Sequence, residues 1–231
     1  MNRLSCSVRV ALLAAIAAIA AAAPGCGTSE DAGPRDAAVD PPFTPVTDAG
    51  ACGVTTAHLP PASAKHLEQG TPLTFASNPP CGGDHWSFWT TWGAHATAVP
   101  RGNWIHNLEH GGVAFLYRCA SRAACPDLAA KVEAVALSLP QEARCAPPIR
   151  NRIVVTADPD LPEGVEVAAA SWGYNLVARC LDEAALRDFY RARVGRAPED
   201  TCAEGVEVSA PVDSGTDGES ESGVGDAAIG G

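Results

Sequence analysis

The sequence predicts a single α+β domain in which a mostly antiparallel sheet packs against two main helices. Segments of strand length and amphipathic segments of helix length intermix along the chain, without the strict alternation that is typical of parallel α/β proteins. Composition supports one domain, because 231 residues with 46% hydrophobic content can build a substantial core even after the polar ends are set aside.

Each element is predicted from local pattern. Apolar runs indicate strands, and the run at residues 113–118 is apolar enough to be central. A helix is expected to open at Pro126, another at a capping Asp182, and a short one after a capping Asn103 that Gly111 and Gly112 end. The predicted strands are 73–76, 113–118, 152–157, 165–171 and 174–179, and the predicted helices are 104–110, 126–139 and 183–194. Residues 81–102 are expected to form a long Trp/His-rich loop with at most a helical turn.

Both ends of the chain are expected to lie outside the folded domain. Residues 1–25 are typical of a signal peptide, with arginines before a short apolar run and small residues at the cleavage point. Residues 26–50 and 207–231 are rich in small and acidic residues, which predicts a disordered linker and an acidic disordered tail. Residues 51–206 are left as the folded domain.

Cys26 would be the first residue after cleavage, and Ala-Pro-Gly-Cys at residues 23–26 is similar to a bacterial lipobox. This predicts a lipoprotein that is anchored to the membrane through Cys26. Gly27 stands where an aspartate would indicate inner-membrane retention, so the outer membrane is expected, facing the periplasm or the cell surface. The alternative is ordinary secretion with an incidental cysteine.

The charge pattern excludes one class of partner. The formal net charge is -11, and most of it lies in the linker and the tail. The folded part is nearly neutral and has no basic stripe, so no nucleic-acid partner is expected. A protein partner is not identified by the sequence.

The cysteines agree with export. Seven of the nine lie in the predicted domain, which in an oxidising compartment predicts three disulfides and one free thiol. Local pairing favours Cys119 with Cys125 and Cys180 with Cys202, although spacing alone does not determine connectivity.

Residues 75–119 hold four of the six histidines and four of the five tryptophans. The segments SNPPCGGDHW, NWIHNLEHGGVAFLYRC and AASWGYNL resemble the DUF3105 family over about residues 75–198. That family has no known function, so the resemblance implies a secreted or membrane-anchored bacterial domain and no activity. The family usually has Thr-Ser-Gly-Pro-His where residues 81–85 are Cys-Gly-Gly-Asp-His. Cys81 therefore replaces a hydroxyl residue and is the candidate free thiol.

A metal site is predicted within this stretch. His106 and His110 are four residues apart, so on a helix both imidazoles project from one face, with Glu109 beside them. His85 follows a glycine-rich turn that can deliver a third ligand. Imidazoles favour zinc or copper, and Met1 is the only methionine, which excludes a thioether site. The predicted ligands are His85, His106, His110 and Glu109, in a metal-dependent binding or sensing domain.

Two alternatives stay open. The histidines and tryptophans can instead form a metal-free structural core within an envelope interaction module, with Trp86, Trp89 and Trp92 packed inside or exposed to stack on sugars. Residues 106–110 also spell the His-x-x-Glu-His pattern of some zinc hydrolases, but the glycines that follow would end the helix too early. A non-enzymatic role is expected, and no catalytic residue is nominated.

Overall fold

The structure, a computed structural model, describes residues 50–208. Its helices are α1 (Arg101–Glu109), α2 (Pro126–Ser138) and α3 (Glu183–Arg193). Its strands are β1 (Thr55–His58), β2 (His66–Leu67), β3 (His85–Trp86), β4 (Gly93–Ala94), β5 (Val113–Tyr117), β6 (Ile153–Ala157), β7 (Val167–Ser171) and β8 (Tyr174–Ala178).

Six of these strands form one mixed sheet in the order β1-β8-β7-β5-β6-β4, and β2 and β3 form a separate parallel ribbon. The pairs β1/β8, β8/β7 and β7/β5 are antiparallel, whereas β5/β6 and β6/β4 are parallel. The predicted α+β class with a mostly antiparallel sheet is therefore confirmed.

Strand β5 is buried on both faces, and its side chains alternate between two cores, as the two-residue period of a strand requires. Phe115 and its alternate neighbours face a core shared with α2 and α3. Leu116 and Ala114 face a second core shared with Trp104 and Ile105 of α1. The sheet thus separates α1 from the two longer helices, and α1 carries the candidate site.

Most predicted elements are confirmed to within a few residues, and the others are corrected here. Helix α1 begins at Arg101 after Pro100, so Asn103 is not its cap; the buried Asn103 amide donates to Phe88 O (2.7 Å) instead. Residues 73–76 form no strand, because their backbone pairs with none of the described strands. The predicted loop at residues 81–102 contains β3, β4 and the first two residues of α1, with no helical turn around its tryptophans, and strands β1 and β2 were not predicted.

Three disulfides and one free thiol are present in the described domain, as predicted. The disulfides are Cys52–Cys180, Cys119–Cys125 and Cys145–Cys202, and Cys81 is free and buried. The predicted Cys119–Cys125 pair is confirmed, but Cys180–Cys202 is wrong. Antiparallel pairing of β1 with β8 extends to the bond from Arg179 N to Cys52 O (2.8 Å), which brings residue 52 beside residue 180.

No helix within residues 50–208 is long and apolar enough to cross a membrane. The predicted signal peptide, the predicted linker except residue 50, the predicted lipid-anchor residue Cys26, and all but the first two residues of the predicted tail lie outside the described residues.

Candidate metal centre

Two structural elements bring four candidate ligands together. Parallel pairing of β2 with β3 sets His66 directly opposite His85. Helix α1 supplies His106 and Glu109, three residues apart and therefore on one helix face. One potential ligand atom from each of these four residues lies within 4.8 Å of the others. We call this group the His/Glu cluster; its composition means that it could hold a metal ion.

A glycine in α1 allows the helix to approach the ribbon closely. A Cβ atom at Gly102 would lie 2.5 Å from the ring of Trp86 and 2.7 Å from Leu73. Real Cβ atoms do not make contacts that short, so any larger residue would push the helix and the ribbon apart. Trp86 is fixed in turn by its indole N–H, which donates to Thr71 O (2.9 Å).

The outer hydrogen bonds determine which ring nitrogens of His85 and His106 carry a hydrogen. His85 Nδ1 lies 2.8 Å from Gly83 O, and His106 Nδ1 lies 2.8 Å from Trp86 O. A carbonyl oxygen only accepts hydrogen bonds, so in both rings Nδ1 carries the hydrogen. Each neutral ring is then left with a lone pair on Nε2. Metal-binding histidines are commonly oriented by this kind of backbone contact.

Glu109 stands at the centre of the cluster. Its Oε2 atom lies 2.9 Å from His66 Nε2 and 3.0 Å from His85 Nε2. The second contact is short but not aligned as a hydrogen bond, and His85 Nε2 is a buried nitrogen without a hydrogen-bond partner among the described residues. A carboxylate oxygen and an imidazole lone pair repel each other at this distance. A cation between the two atoms, either a proton or a metal ion, would remove this repulsion.

The electrostatics keep two ligands in the form that binds metal. Burial lowers the pKa of His106 to about 4, despite the bond to Trp86, so this ring is neutral at pH 7. Burial alone would raise the pKa of Glu109, but its contacts with His85 and His66 more than offset this, and the pKa lies below its ordinary value. Metal ligands must be deprotonated to bind, and both residues meet that condition.

The spacing is close to that of a tetrahedral site. With zinc–nitrogen and zinc–oxygen bonds near 2.0–2.1 Å, neighbouring ligand atoms lie about 3.3 Å apart. The two contacts of Glu109 Oε2 are within a few tenths of an ångström of that value, whereas the separations in the whole group, which reach up to 4.8 Å, would shorten by as much as about 1.5 Å on binding. The His85 side chain is fully buried and that of His66 is 41% exposed, so the cluster meets solvent at His66.

The predicted ligands are only partly the ones that the structure brings together. His85, His106 and Glu109 are in the cluster, whereas His110 is not. His110 follows the last helical residue, and its Nε2 lies 3.2 Å from Glu199 Oε2. Burial lowers the pKa of His110, although the nearby Glu199 and Glu109 carboxylates oppose that shift.

His66 was not nominated from sequence. It belongs to a two-residue strand outside the histidine-rich stretch, and only its pairing with His85 reveals it.

Cys81 is not part of the cluster. Its Sγ atom lies 3.6 Å from Ser77 Oγ and 3.6 Å from Leu59 O. Burial raises the pKa of the Cys81 thiol, although the Ser77 contact opposes this. The residue is therefore a buried neutral thiol and not a thiolate that would bind metal.

The remaining histidine and the tryptophans of the stretch have structural contacts. His95 is buried, with its Nε2 3.0 Å from Thr91 O. Trp89 packs 5.0 Å from the His106 ring and 4.4 Å from the His110 ring, measured between centroids. Trp104 is fully buried in the core beneath α1, and Trp92 donates to Ala203 O (2.9 Å).

Comparison with known proteins gives one match. A family model with the description "Protein of unknown function (DUF3105)" matches residues 66–205, a range that includes all four residues of the cluster. No curated protein matches the chain, and neither does any solved structure.

Proposed function

The chain belongs to the DUF3105 family of proteins of unknown function, and from that premise we propose that its domain binds one zinc or copper ion. The ligands would be His66, His85, His106 and Glu109. The protein would then act as a metal-binding or metal-sensing component of the cell envelope. One observation carries the proposal: His66 Nε2 and His85 Nε2 both lie within 3.0 Å of the oxygen of one buried carboxylate, and a ligand atom of His106 lies within 4.8 Å of them.

The donor set supports zinc or copper over other ions. Three imidazoles and one carboxylate suit zinc and divalent copper, whereas cuprous copper favours sulfur ligands. The described cluster contains no sulfur atom. Calcium and magnesium favour sets made of oxygen atoms alone.

The geometry supports binding more than hydrolysis. Catalytic zinc sites keep one position open for water, and structural or storage sites are filled by four protein ligands. Here Glu109 lies among the candidate ligands, whereas a hydrolase of the His-x-x-Glu-His type needs that glutamate free to activate water. The second histidine of the pattern, His110, pairs with Glu199 and is not among the candidate ligands, although its ring packs against that of His106 (4.6 Å between centroids).

A metal-free polar core is the second candidate. The distances of Glu109 Oε2 from His66 and His85 are also those of a carboxylate between protonated imidazoles. In that case the cluster would only join the ribbon to α1 within an interaction module. The two candidates differ in whether a metal ion or protons occupy the centre.

Metal titration of matched variants separates the two candidates. The metal-free protein, prepared without a histidine tag, is titrated calorimetrically with zinc and with copper, and metal in the purified protein is measured by elemental analysis. We expect one ion per chain with a dissociation constant below micromolar. His85→Ala and His106→Asn should abolish binding, because each removes an imidazole ligand, whereas His110→Asn should retain it.

Thermal melts of the same variants complete the test. The metal-free candidate predicts no stoichiometric binding and lower melting temperatures for His85→Ala, since buried partners would be left unsatisfied. The absence of binding tighter than micromolar in the wild-type protein would rule out the metal centre. Loss of binding in His110→Asn with an unchanged melting temperature would contradict the proposed ligand set.

We also propose that the protein is exported and lipid-anchored to the outer membrane through Cys26. The signal-peptide pattern and the Ala-Pro-Gly-Cys segment support this, and the three disulfides are consistent with an oxidising compartment. A lipid-modified cysteine gives stable attachment when it carries more than one acyl chain. Cys26→Ser should move the protein from the membrane to the soluble fraction. An unchanged distribution would refute the anchor.

A further inference from the structure

His66 differs from the other members of the His/Glu cluster in its exposure. Its side chain is 41% exposed, whereas that of His85 is fully buried and that of Glu109 is 6% exposed. His106 is also buried. We propose that His66 is the exchangeable ligand of the site, and that an imidazole of another molecule, such as a histidine side chain of a second protein, takes its place while the metal ion enters or leaves. This inference rests on the metal centre proposed above.

The ring of His66 is oriented less firmly than the two buried rings. In His85 and in His106, Nδ1 lies 2.8 Å from a backbone carbonyl oxygen, the kind of outer contact that commonly orients a metal-binding imidazole. Within residues 50–208 the His66 ring has no such contact, and its one hydrogen bond joins Nε2 to Glu109 Oε2 (2.9 Å). That bond would be lost when a metal ion lies between the two atoms. His66 is therefore the ligand that turns away most readily.

The segment that carries His66 is also weakly packed. None of residues 59–73 is buried, whereas residues 102–109 of α1 are all buried. Strand β2 is held to β3 by the backbone N–H groups of His85 and Ser87, which donate to Lys65 O and Leu67 O (both 3.0 Å). Segments with few buried contacts open locally well below the free energy of global unfolding. Strand β2 can therefore open while α1 and β3 keep the other three ligands in place.

Asp84 fastens the chain just before β2 without being a candidate ligand. Its Oδ1 atom accepts hydrogen bonds from Lys65 N (3.0 Å) and from the Ser63 hydroxyl. Asp84 directly precedes His85, so this carboxylate ties the segment of the exposed ligand to the strand of a buried one. A substitution at Asp84 therefore changes how readily β2 opens and leaves the four ligands intact.

The neighbouring rings favour an imidazole as the replacement. The His66 ring stacks on that of His106, with 4.5 Å between centroids and 22° between planes. It also meets the His85 ring edge to face, with 4.7 Å between centroids. A planar ring that enters this position gains stacking as well as a metal–nitrogen bond. A carboxylate or a thiolate would supply a ligand atom without the stacking.

Zinc release from the loaded wild-type protein, with its disulfides intact, tests the exchange directly. The zinc that leaves is captured by the coloured chelator 4-(2-pyridylazo)resorcinol and followed by absorbance. The external imidazole is supplied as N-acetyl-histidine methylamide, a capped histidine, and the capped alanine is the matched probe without a ring. We expect the release rate to rise with the concentration of capped histidine and to stay constant with capped alanine.

Variants locate the exchange at His66. Asp84→Ala should speed zinc release about threefold to tenfold, because it frees the segment before β2, whereas Asp188→Ala on the exposed face of α3 should not change it. His66→Ala should bind zinc at least about tenfold more weakly, and capped histidine should restore most of the affinity. Capped histidine should not restore binding to His85→Ala, because that position is fully buried.

The outcomes distinguish this inference from the metal centre itself. If the wild-type protein binds one zinc ion but capped histidine leaves the release rate unchanged, the inference is wrong and the metal centre stands. Restoration of His85→Ala to the same extent as His66→Ala would also overturn it, since the exchangeable position would then not be the exposed one. If the wild-type protein binds no zinc more tightly than micromolar, both proposals are wrong.

Discussion

Acidification of the metal-free protein tests the electrostatic environment of His106. Burial, opposed in part by the bond to Trp86 O, lowers the pKa of this imidazole from 6.5 to about 4. The same ring in the unfolded chain titrates near 6.5, so between these values the unfolded chain binds more protons than the folded protein. The stability that this difference contributes is complete above pH 6.5 and is lost as the pH falls towards 4.

The two pKa values set the magnitude. From pH 7.5 to 4.5 the ring in the unfolded chain becomes almost fully protonated, while the buried ring stays largely neutral. His106 alone should therefore reduce the free energy of unfolding by about 2 to 3 kcal/mol. Domains of this size are typically stable by about 5–15 kcal/mol, so urea denaturation at the two pH values, in the presence of a chelator, resolves the loss.

His106→Asn is the matched variant. An asparagine amide can still donate to Trp86 O, but it does not titrate. Titration of Glu109 and His110 is common to both proteins and largely cancels in the comparison. Wild-type protein should lose about 2 to 3 kcal/mol more than His106→Asn over this pH range. Equal losses in wild type and His106→Asn would refute the buried, neutral imidazole.

Three further predictions concern packing and chemistry elsewhere in the domain. Gly102→Val should lower both the melting temperature and the zinc affinity, because its side chain would meet the Trp86 ring; an unchanged affinity in calorimetry would contradict the close approach of α1. Thiol titration should find one reactive cysteine per domain under denaturing conditions and very slow labelling in the native protein, since Cys81 is buried and its pKa is raised. Arg152→Met should destabilise the domain by about 3–5 kcal/mol in urea denaturation, because it removes a fully buried guanidinium that pairs with Glu142 and Asp200 and donates to His110 O; a loss under 1 kcal/mol would show that the buried ion pairs contribute little.

Much of the fold follows from local sequence pattern. Strands β5 to β8 and helices α2 and α3 were predicted nearly to their ends, because apolar periodicity, Pro126 and the Asp182 cap act over a few residues. Within the cluster, the three-residue step from His106 to Glu109 was sufficient to place both side chains on one helix face. The loss of Asn103 as a cap shows the limit of local rules, since a buried loop contact uses its amide instead.

The sequence by itself therefore determined the class of the domain, its longer elements and the number of disulfides. It also determined that His106 and Glu109 lie on one face of a helix. Tertiary structure decided the rest. His66 joins the cluster through a two-residue parallel pairing with His85. Cys180 bonds to Cys52, 128 residues away in sequence, and not to the nearer Cys202. Both outcomes depend on which distant segments pack against each other. That packing is a property of the whole core, so it cannot be predicted from a local pattern of residues.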